Sequence, residues 1–459
     1  MIITRQGFSQ VVGNAFAGLG FAPEGPAIYE FPMDMFVPGS DLTPLAENID
    51  KVVYGLTKWE PEIKELGVIT PPKVTVEGKD YAEAYANANL LFLKNMWGDG
   101  LSLLPATEEN VNWILTGTDL SPDTIVGEGN ILPRGGVTTV ESLAVCLAMA
   151  GGRPEYLPLL IAAVEAFTDP LGAHQSWNST TQSVFPVFIV NGPIASQIRV
   201  GSGYGCLGPD PIHPAGGAIG RAIRLVLLTM GGAIPGIGTM ALFGGMRYTN
   251  AVFAEDEAGL PPGWEPLSVD QGVPTFPKGS NVVSITCCSS VGNVGCGGNI
   301  EEEGILQDFH NLAHVMLGRY SPNRYLTNRW TPENPEVSGA SGVVLIARGT
   351  AQGLANIGWS KLDLQTFLWE NSKTPWSWIV ETGQELRCIN AGFEGQAIPV
   401  TLKPEQLMVV VAGGEQSMHS YFLTGGMTLN RILSVEIELP ANWDELLEQA
   451  EEDLGPIPA

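Results

Sequence analysis

Four short runs of this chain are apolar at nearly every position: Ser183–Val190 (SVFPVFIV), Val282–Thr286, Gly342–Ala347 and Met408–Ala412 (MVVVA). A strand with one wet face alternates apolar and polar residues, whereas a continuous apolar run of this length is covered on both faces. Turn residues follow them: Asn191-Gly192-Pro193 after the first, Gly349 after the third, Gly413-Gly414 after the fourth. Segments with helical character lie between and around the runs: Lys79–Trp97, Glu108–Leu115, Thr138–Met149, Glu155–Phe167, Gly216–Leu228, Glu302–Leu317, Leu364–Glu370 and Asn442–Asp453, the last with Asn442 as N-cap. Helices alternating with buried strands predict an α/β fold in which helices cover mixed sheets.

The order helix, long loop, apolar strand, glycine turn occurs twice, over roughly 154–193 and 302–350, and predicts two related halves. Residues 1–78 are Pro-rich and weakly periodic, and read as an extended N-terminal arm. The expected organisation is the arm, a first α/β half over 79–255, a second over 256–435 with a Cys-rich loop, and an acidic helix over 436–459.

The net charge of −26 leaves no basic footprint for nucleic acid and disfavours anionic membrane surfaces. Low charge density, at 16%, with 56 Gly and 34 Pro, predicts many tight turns and surface covered by other copies in a homo-oligomer. Residues 1–22 lack the pattern of a signal peptide. Leu225–Met246 is uncharged, but Gly231-Gly232 and Pro235-Gly236 would break a spanning helix, so a buried glycine-rich crossing is expected. Six cysteines in a chain this long do not make a disulfide framework. Reduced thiols and a cytoplasmic location are the expectation.

Three of those cysteines, Cys287, Cys288 and Cys296, fall within ten residues of a Gly-rich segment. They are candidate nucleophiles or electron carriers, and so is Cys206 in Gly201–Pro209. His174, in the polar run His174–Ser183, is the candidate proton carrier of a polar pocket. Gly216 and Gly217 open a helix with Arg221 in its first turns, a pattern that can receive an anionic group; Asn191, at the end of the first apolar run, completes the substrate-binding candidates. His310 and His314 stand at i and i+4 and share a helical face. With Cys296 and Glu303 they form a candidate set for a transition metal, although the His-Glu-x-x-His pattern is absent. Glu255, in the acidic turn Glu255-Asp256-Glu257, has the chemistry of an acid, base or ligand, but also the look of a solvated turn.

Several blocks together carry a resemblance: Trp97–Leu101 through Pro105, Gly151–Tyr156, Val190–Ile194, Ser202-Gly203-Tyr204 with Leu207-Gly208-Pro209, Ile219–Ala222 and Val409–Gly414. Over roughly 85–420 the chain resembles a prokaryotic family associated with the UGSC (seleno)protein module. That module carries a selenocysteine or cysteine in a U/C-Gly-Ser-Cys motif. The resemblance implies thiol- or selenol-dependent chemistry on a small organic molecule. This chain contains no Cys-Gly-Ser-Cys, so the reactive group belongs to a separate UGSC-type partner chain or to Cys287, Cys288 and Cys296. Three readings result: an enzyme, or its large subunit, using cysteine chemistry on a small anionic substrate as an oxidoreductase or lyase; a metal-dependent hydrolase or lyase; and a non-enzymatic assembly protein.

Overall fold

A computed structural model describes residues 1–18, 20–21, 28–31, 39–60, 62, 73–127, 130–172, 174, 178–244, 250–272, 274–295, 302–317, 342–383, 385–390, 392–401, 403–416, 419–425 and 432–457. The Pro-rich N-terminal segment, expected to run extended, holds regular structure among its described residues. Strands β1 (Ile2–Arg5) and β2 (Ile28–Phe31) pair in parallel, with helix α1 (Ser9–Gly18) between them in sequence. Helices α2 (Thr43–Glu47) and α3 (Ile49–Thr57) follow.

Helix α4 (Tyr81–Asn95) starts where the Asp80 side chain accepts the Glu83 N–H, and ends at Met96 in left-handed conformation. Helix α5 (Glu108–Leu115) is capped by Thr107, and α6 (Val140–Met149) by a reciprocal Thr139/Ser142 box. Helix α7 (Leu157–Thr168) is apolar around most of its circumference and is accordingly buried on nearly all sides. Then come β3 (Phe185–Asn191), α8 (Ile194–Gln197), α9 (Pro214–Thr229), β4 (Ala251–Ala254), α10 (Leu267–Asp270) and β5 (Val282–Gly295). The second part includes α11 (Glu302–Met316), β6 (Gly342–Ile346), α12 (Arg348–Asn356), α13 (Lys361–Asn371), two short helices (Trp376–Glu381 and Glu385–Asn390), β7 (Met408–Val411), β8 (His419–Gly425), β9 (Leu433–Glu436) and α14 (Trp443–Leu454). Asn442 holds the N-cap position of α14, but its side chain donates to Thr116 O instead of capping. No helix among the described residues is long and apolar enough to cross a membrane; the uncharged 225–246 run leaves helix at Thr229.

The fold is α/β, with one mixed seven-stranded sheet in the order β4-β3-β5-β8-β6-β7, and β9 beside β5. Its register shows two related halves. In each, a central strand pairs with a parallel strand on one side and an antiparallel strand on the other. Val187 pairs with Ala251 in parallel and with Thr286 in antiparallel. Val343 pairs with Met408 in parallel and with Leu423 in antiparallel. The match continues across the join. The first half of β5 pairs with β9, Ile285 opposite Leu433, while β8 pairs with the second half of β5, Phe422 opposite Gly292. Each half therefore passes its last strand to the sheet of the other, in equivalent register. Helix α7 packs on β5 and β9, as α11 packs on β8 and β5.

The sheet curls so that one face packs on itself. Inward residues from both edges and the centre form one core: Val187 and Ile189, Phe253, Val343 and Leu345, Val410, Leu423. Outward residues of the first half pack under α6, α7 and α9, and those of the second under α11, α12 and α13. The edges β4 and β7 are stitched at their ends. Asp256 N–H donates to Val411 O, and the Gln271 side chain donates to Leu407 O (2.8 Å) while accepting from Val409 N–H. A side-chain amide thus does for the β7 edge what a neighbouring strand would do.

Candidate functional site

The stitched edges bring together the C-terminal ends of β3 and β4 from one half and of β6 and β7 from the other. In open α/β sheets this is where strands hand over to loops and where ligands gather. Val190 and Ala254 are register partners, so the residues that follow them, Asn191 and Glu255, are neighbours. The Asn191 amide donates to Glu255 Oε2 at 2.8 Å and to Glu257 Oε1 at 3.0 Å. Gly192 N–H donates to the same Glu257 oxygen at 2.7 Å, and Leu267 N–H to Glu255 Oε2 at 2.8 Å. Two carboxylates therefore converge on one side-chain amide. Gly192 has φ +91°, and a Cβ there would stand 2.3 Å from Ser280 O, so only glycine presents its N–H to Glu257 in this way.

Glu255 is 4% exposed. Burial pushes its carboxyl above the usual range, against the opposing pull of Lys361 and the bonds from Asn191 and Leu267. Its Oε1 and the Asn191 Oδ1 are both buried and have no hydrogen-bond partner among the described residues. Next along the chain, Asp256 takes a two-pronged bond from Arg348 (2.7 Å at each oxygen), the first residue of α12 and so from the other half. Behind the cluster, Lys361 Nζ donates to Asp270 (2.9 Å). The loop Gly201–Cys206 seals the same end: Ala254 N–H donates to Gly201 O, and Gly413 N–H to Ser202 O. Tyr204 lies over Gly414. The φ of +99° there disfavours any side chain, and a Cβ would stand 2.7 Å from a carbon of the Tyr204 ring.

At the positions that the register makes equivalent, only one half carries acid groups. Register places Asn191 and Gly192 at the positions of Ala347 and Arg348, and Glu255, Asp256 and Glu257 at those of Ala412, Gly413 and Gly414. The second half contributes the guanidinium and open glycine backbone.

Asn191 is the one substrate-binding candidate found in this cluster. Arg221 is bound two-pronged by Asp99 (2.8 and 3.1 Å) and donates to Ser102 O, contacts that lie outside this cluster. Gly216 lets α9 pack closely on β4: a Cβ would meet Val252 O at 2.5 Å. Gly220, in the same helix, would meet Asn250 O at 2.3 Å, and Gly217 faces Pro209. Gly216 and Gly220 serve helix–strand contact. His174 is buried against the 130–132 turn, its Nε2 3.1 Å from Asn130 O and its ring edge-on to Phe167; burial lowers its pKa.

The segment expected to be a cysteine loop is strand through Gly295, because Ser290 to Gly295 pair along β8 past a bulge after Cys288. Strand alternation sends adjacent Cys287 and Cys288 to opposite faces. Cys287 joins the core beneath the first-half helices, whereas Cys288 and Cys206 share the inner core of the sheet. Burial raises the Cys287 thiol well above its ordinary range and pushes Cys146 up to about 12. Cys296 lies outside the described residues.

His310 and His314 are exposed on α11, with His310 edge-on to Phe367 at 4.9 Å, and Glu303 is exposed on the same helix. Among the described residues no three His, Cys, Asp or Glu side chains converge as a metal site. The polar run before β3 does border a hollow: Thr181, Gln182 and Ser183 line an open depression of about 330 Å³ with Leu242, Phe243, Ser289 and Ser290, at the opposite end of β3 from Asn191.

Glu257 and Arg348 are not among the candidates that the sequence singles out. The available signal is an acidic triplet directly after a fully apolar strand, the same transition that marks Asn191. No family model, curated protein or solved structure matches the chain.

Proposed function

We propose that this protein is an enzyme that moves a proton on a small organic acid, in the manner of a lyase or isomerase, at the joined strand ends. The observation that carries this reading is the convergence of Glu255 and Glu257 on the Asn191 amide, with one oxygen of the buried Glu255 unbonded among the described residues. Two carboxyl groups in unequal surroundings are what acid–base chemistry near neutral pH requires. Glu255, whose carboxyl burial pushes above the usual range, holds the amide at the inner end of the pair. Glu257, half-buried and held through Oε1 by Asn191 and Gly192, is the exchanging group. Arg348 holds Asp256 through Nε and Nη2 and keeps 37% of its side chain exposed; its remaining N–H groups bind the substrate's carboxylate from the opposite half.

The test is a thermal-shift screen of small hydroxy-, keto- and unsaturated acids on the full chain. The expected result is a stabilising acid whose effect is lost in Arg348→Lys, which keeps the charge but not the fork. The same acid should still bind Glu257→Gln, yet not be turned over. Equal stabilisation of the wild type and Arg348→Lys would overturn the assignment.

A second reading, cysteine chemistry on the same substrate class, is favoured by one observation: Cys206 sits in the loop that seals these strand ends. It predicts that a bound acid protects Cys206 from alkylation. If labelling is the same with and without ligand, Cys206 is a core residue. A reactive group supplied by a separate UGSC-type chain is compatible with either reading, because the acid cluster lies at a loop-bounded end of the sheet.

A further inference from the structure

Helix α4 carries a face that nothing among the described residues covers. Of its fifteen residues only Ala88 is fully buried. Leu90 and Leu93 are 63% and 56% exposed. Helical spacing aligns them with Ala82 and Ala86, also exposed, in one apolar stripe. Met96, Leu101 and Leu104, each about half exposed, follow directly. A stripe of this kind on a monomer would be an aggregation liability, and in a stable protein it marks an interface.

The pattern along α4 identifies what covers it. The helix has two charged side chains, Glu83 near its start and Lys94 in its last turn. They are eleven residues apart, about three turns, so both fall on the same flank of the stripe. The small residues Ala82 and Ala86 occupy the N-terminal half, and Leu90 and Leu93 the C-terminal half. Such a helix is complementary to itself when reversed. An antiparallel pair related by a twofold axis places each Glu83 opposite the Lys94 of the other copy, and each leucine pair opposite the other copy's alanines. This is the isologous arrangement of most homodimers. It also answers the charge problem of a chain at −26: two such molecules repel over most of their surface, and α4, with one charge of each sign, is a face on which they can meet.

We propose that the chain forms a twofold homodimer through antiparallel packing of α4 against α4 of a second copy. The experiment is sedimentation velocity on the full chain at micromolar concentration, with circular dichroism on every variant. The wild type is expected at twice the 48.9 kDa chain mass. Lys94→Glu puts two like-charged pairs in the interface and should weaken association about tenfold or more. The reciprocal change matters most. Glu83 also accepts the Lys79 N–H at 2.7 Å, so Glu83→Lys alone both loosens the helix start and breaks the pairing. Combined with Lys94→Glu it should nevertheless restore the dimer, which no loss of folding can imitate. Leu90→Glu with Leu93→Glu should give a folded monomer. A monomeric wild type would overturn the proposal. So would a dimer unmoved by the leucine changes, or a double charge reversal that associates no better than Lys94→Glu.

Discussion

At the scale of single residues, Glu255 is where burial and chemistry collide. Its folded pKa is raised above the ordinary 4.5 by desolvation. A raised acid costs nothing below its unfolded pKa and destabilises the fold as pH climbs through the folded one. Relative to wild type, Glu255→Gln should therefore gain stability as pH rises above about 4.5. Paired melting curves across the acid-to-neutral range would show it, and a gap that does not change with pH would mean that Glu255 is ionised in the fold. Gly220 offers a contest between helix propensity and packing. Alanine is favoured over glycine in a helix interior by about 1 kcal/mol. Here a Cβ would stand 2.3 Å from the Asn250 carbonyl, and backbone cannot swing aside. Packing should win, with Gly220→Ala destabilising by about 1–3 kcal/mol in denaturant titration. A more stable variant would show that α9 sits farther from β4. The cysteines yield a third expectation. Cys146, Cys287, Cys288 and Cys388 are buried and should resist alkylation in the native protein. Peptide mapping that finds any of them labelled rapidly would contradict the packing.

At the scale of elements, the long apolar strands are legible in the sequence and the short or polar ones are not. β3, β6 and β7 stand within a residue or two of their expected positions, because consecutive apolar, β-branched residues have no other way to be covered. β4 has four residues, too few to show a period, and β8 begins His419-Ser420-Tyr421, with no apolar run to mark it. Sequence alone ends β5 at Thr286, because glycine and serine dominate beyond it. The strand continues since β8 supplies the hydrogen bonds that its side chains do not advertise. The β4–β7 seam depends in turn on Gln271, whose single amide serves Leu407 O, Glu405 O and Val409 N–H. Gln271→Ala strands those groups and should cost about 1–3 kcal/mol, with faster hydrogen exchange at Val409. Unchanged exchange would mean that Gln365, which also donates to Leu407 O, holds the edge alone.

At the scale of the whole molecule, the two halves are related but not independent. β9 completes the first half's sheet and the second part of β5 completes the other. A fragment ending between Gly295 and Glu302 would lack the strand that covers β5, and its complement would expose β8; each is an unpaired edge. Either fragment alone should aggregate or remain unstructured, and the two co-expressed should assemble. One fragment folding as a stable monomer would show that the exchange is dispensable. The sequence by itself determined the α/β class, the repeated order of helix and strand, and Asn191 at a strand end. Those follow from local periodicity and turn chemistry, which neighbouring residues carry. Tertiary structure alone decided that Arg348 meets Asp256, that adjacent cysteines part to opposite faces, and that an acidic triplet is half interior. Each of these depends on which edges of the sheet curl together, a long-range choice set by burying two outer cores and one inner core at once.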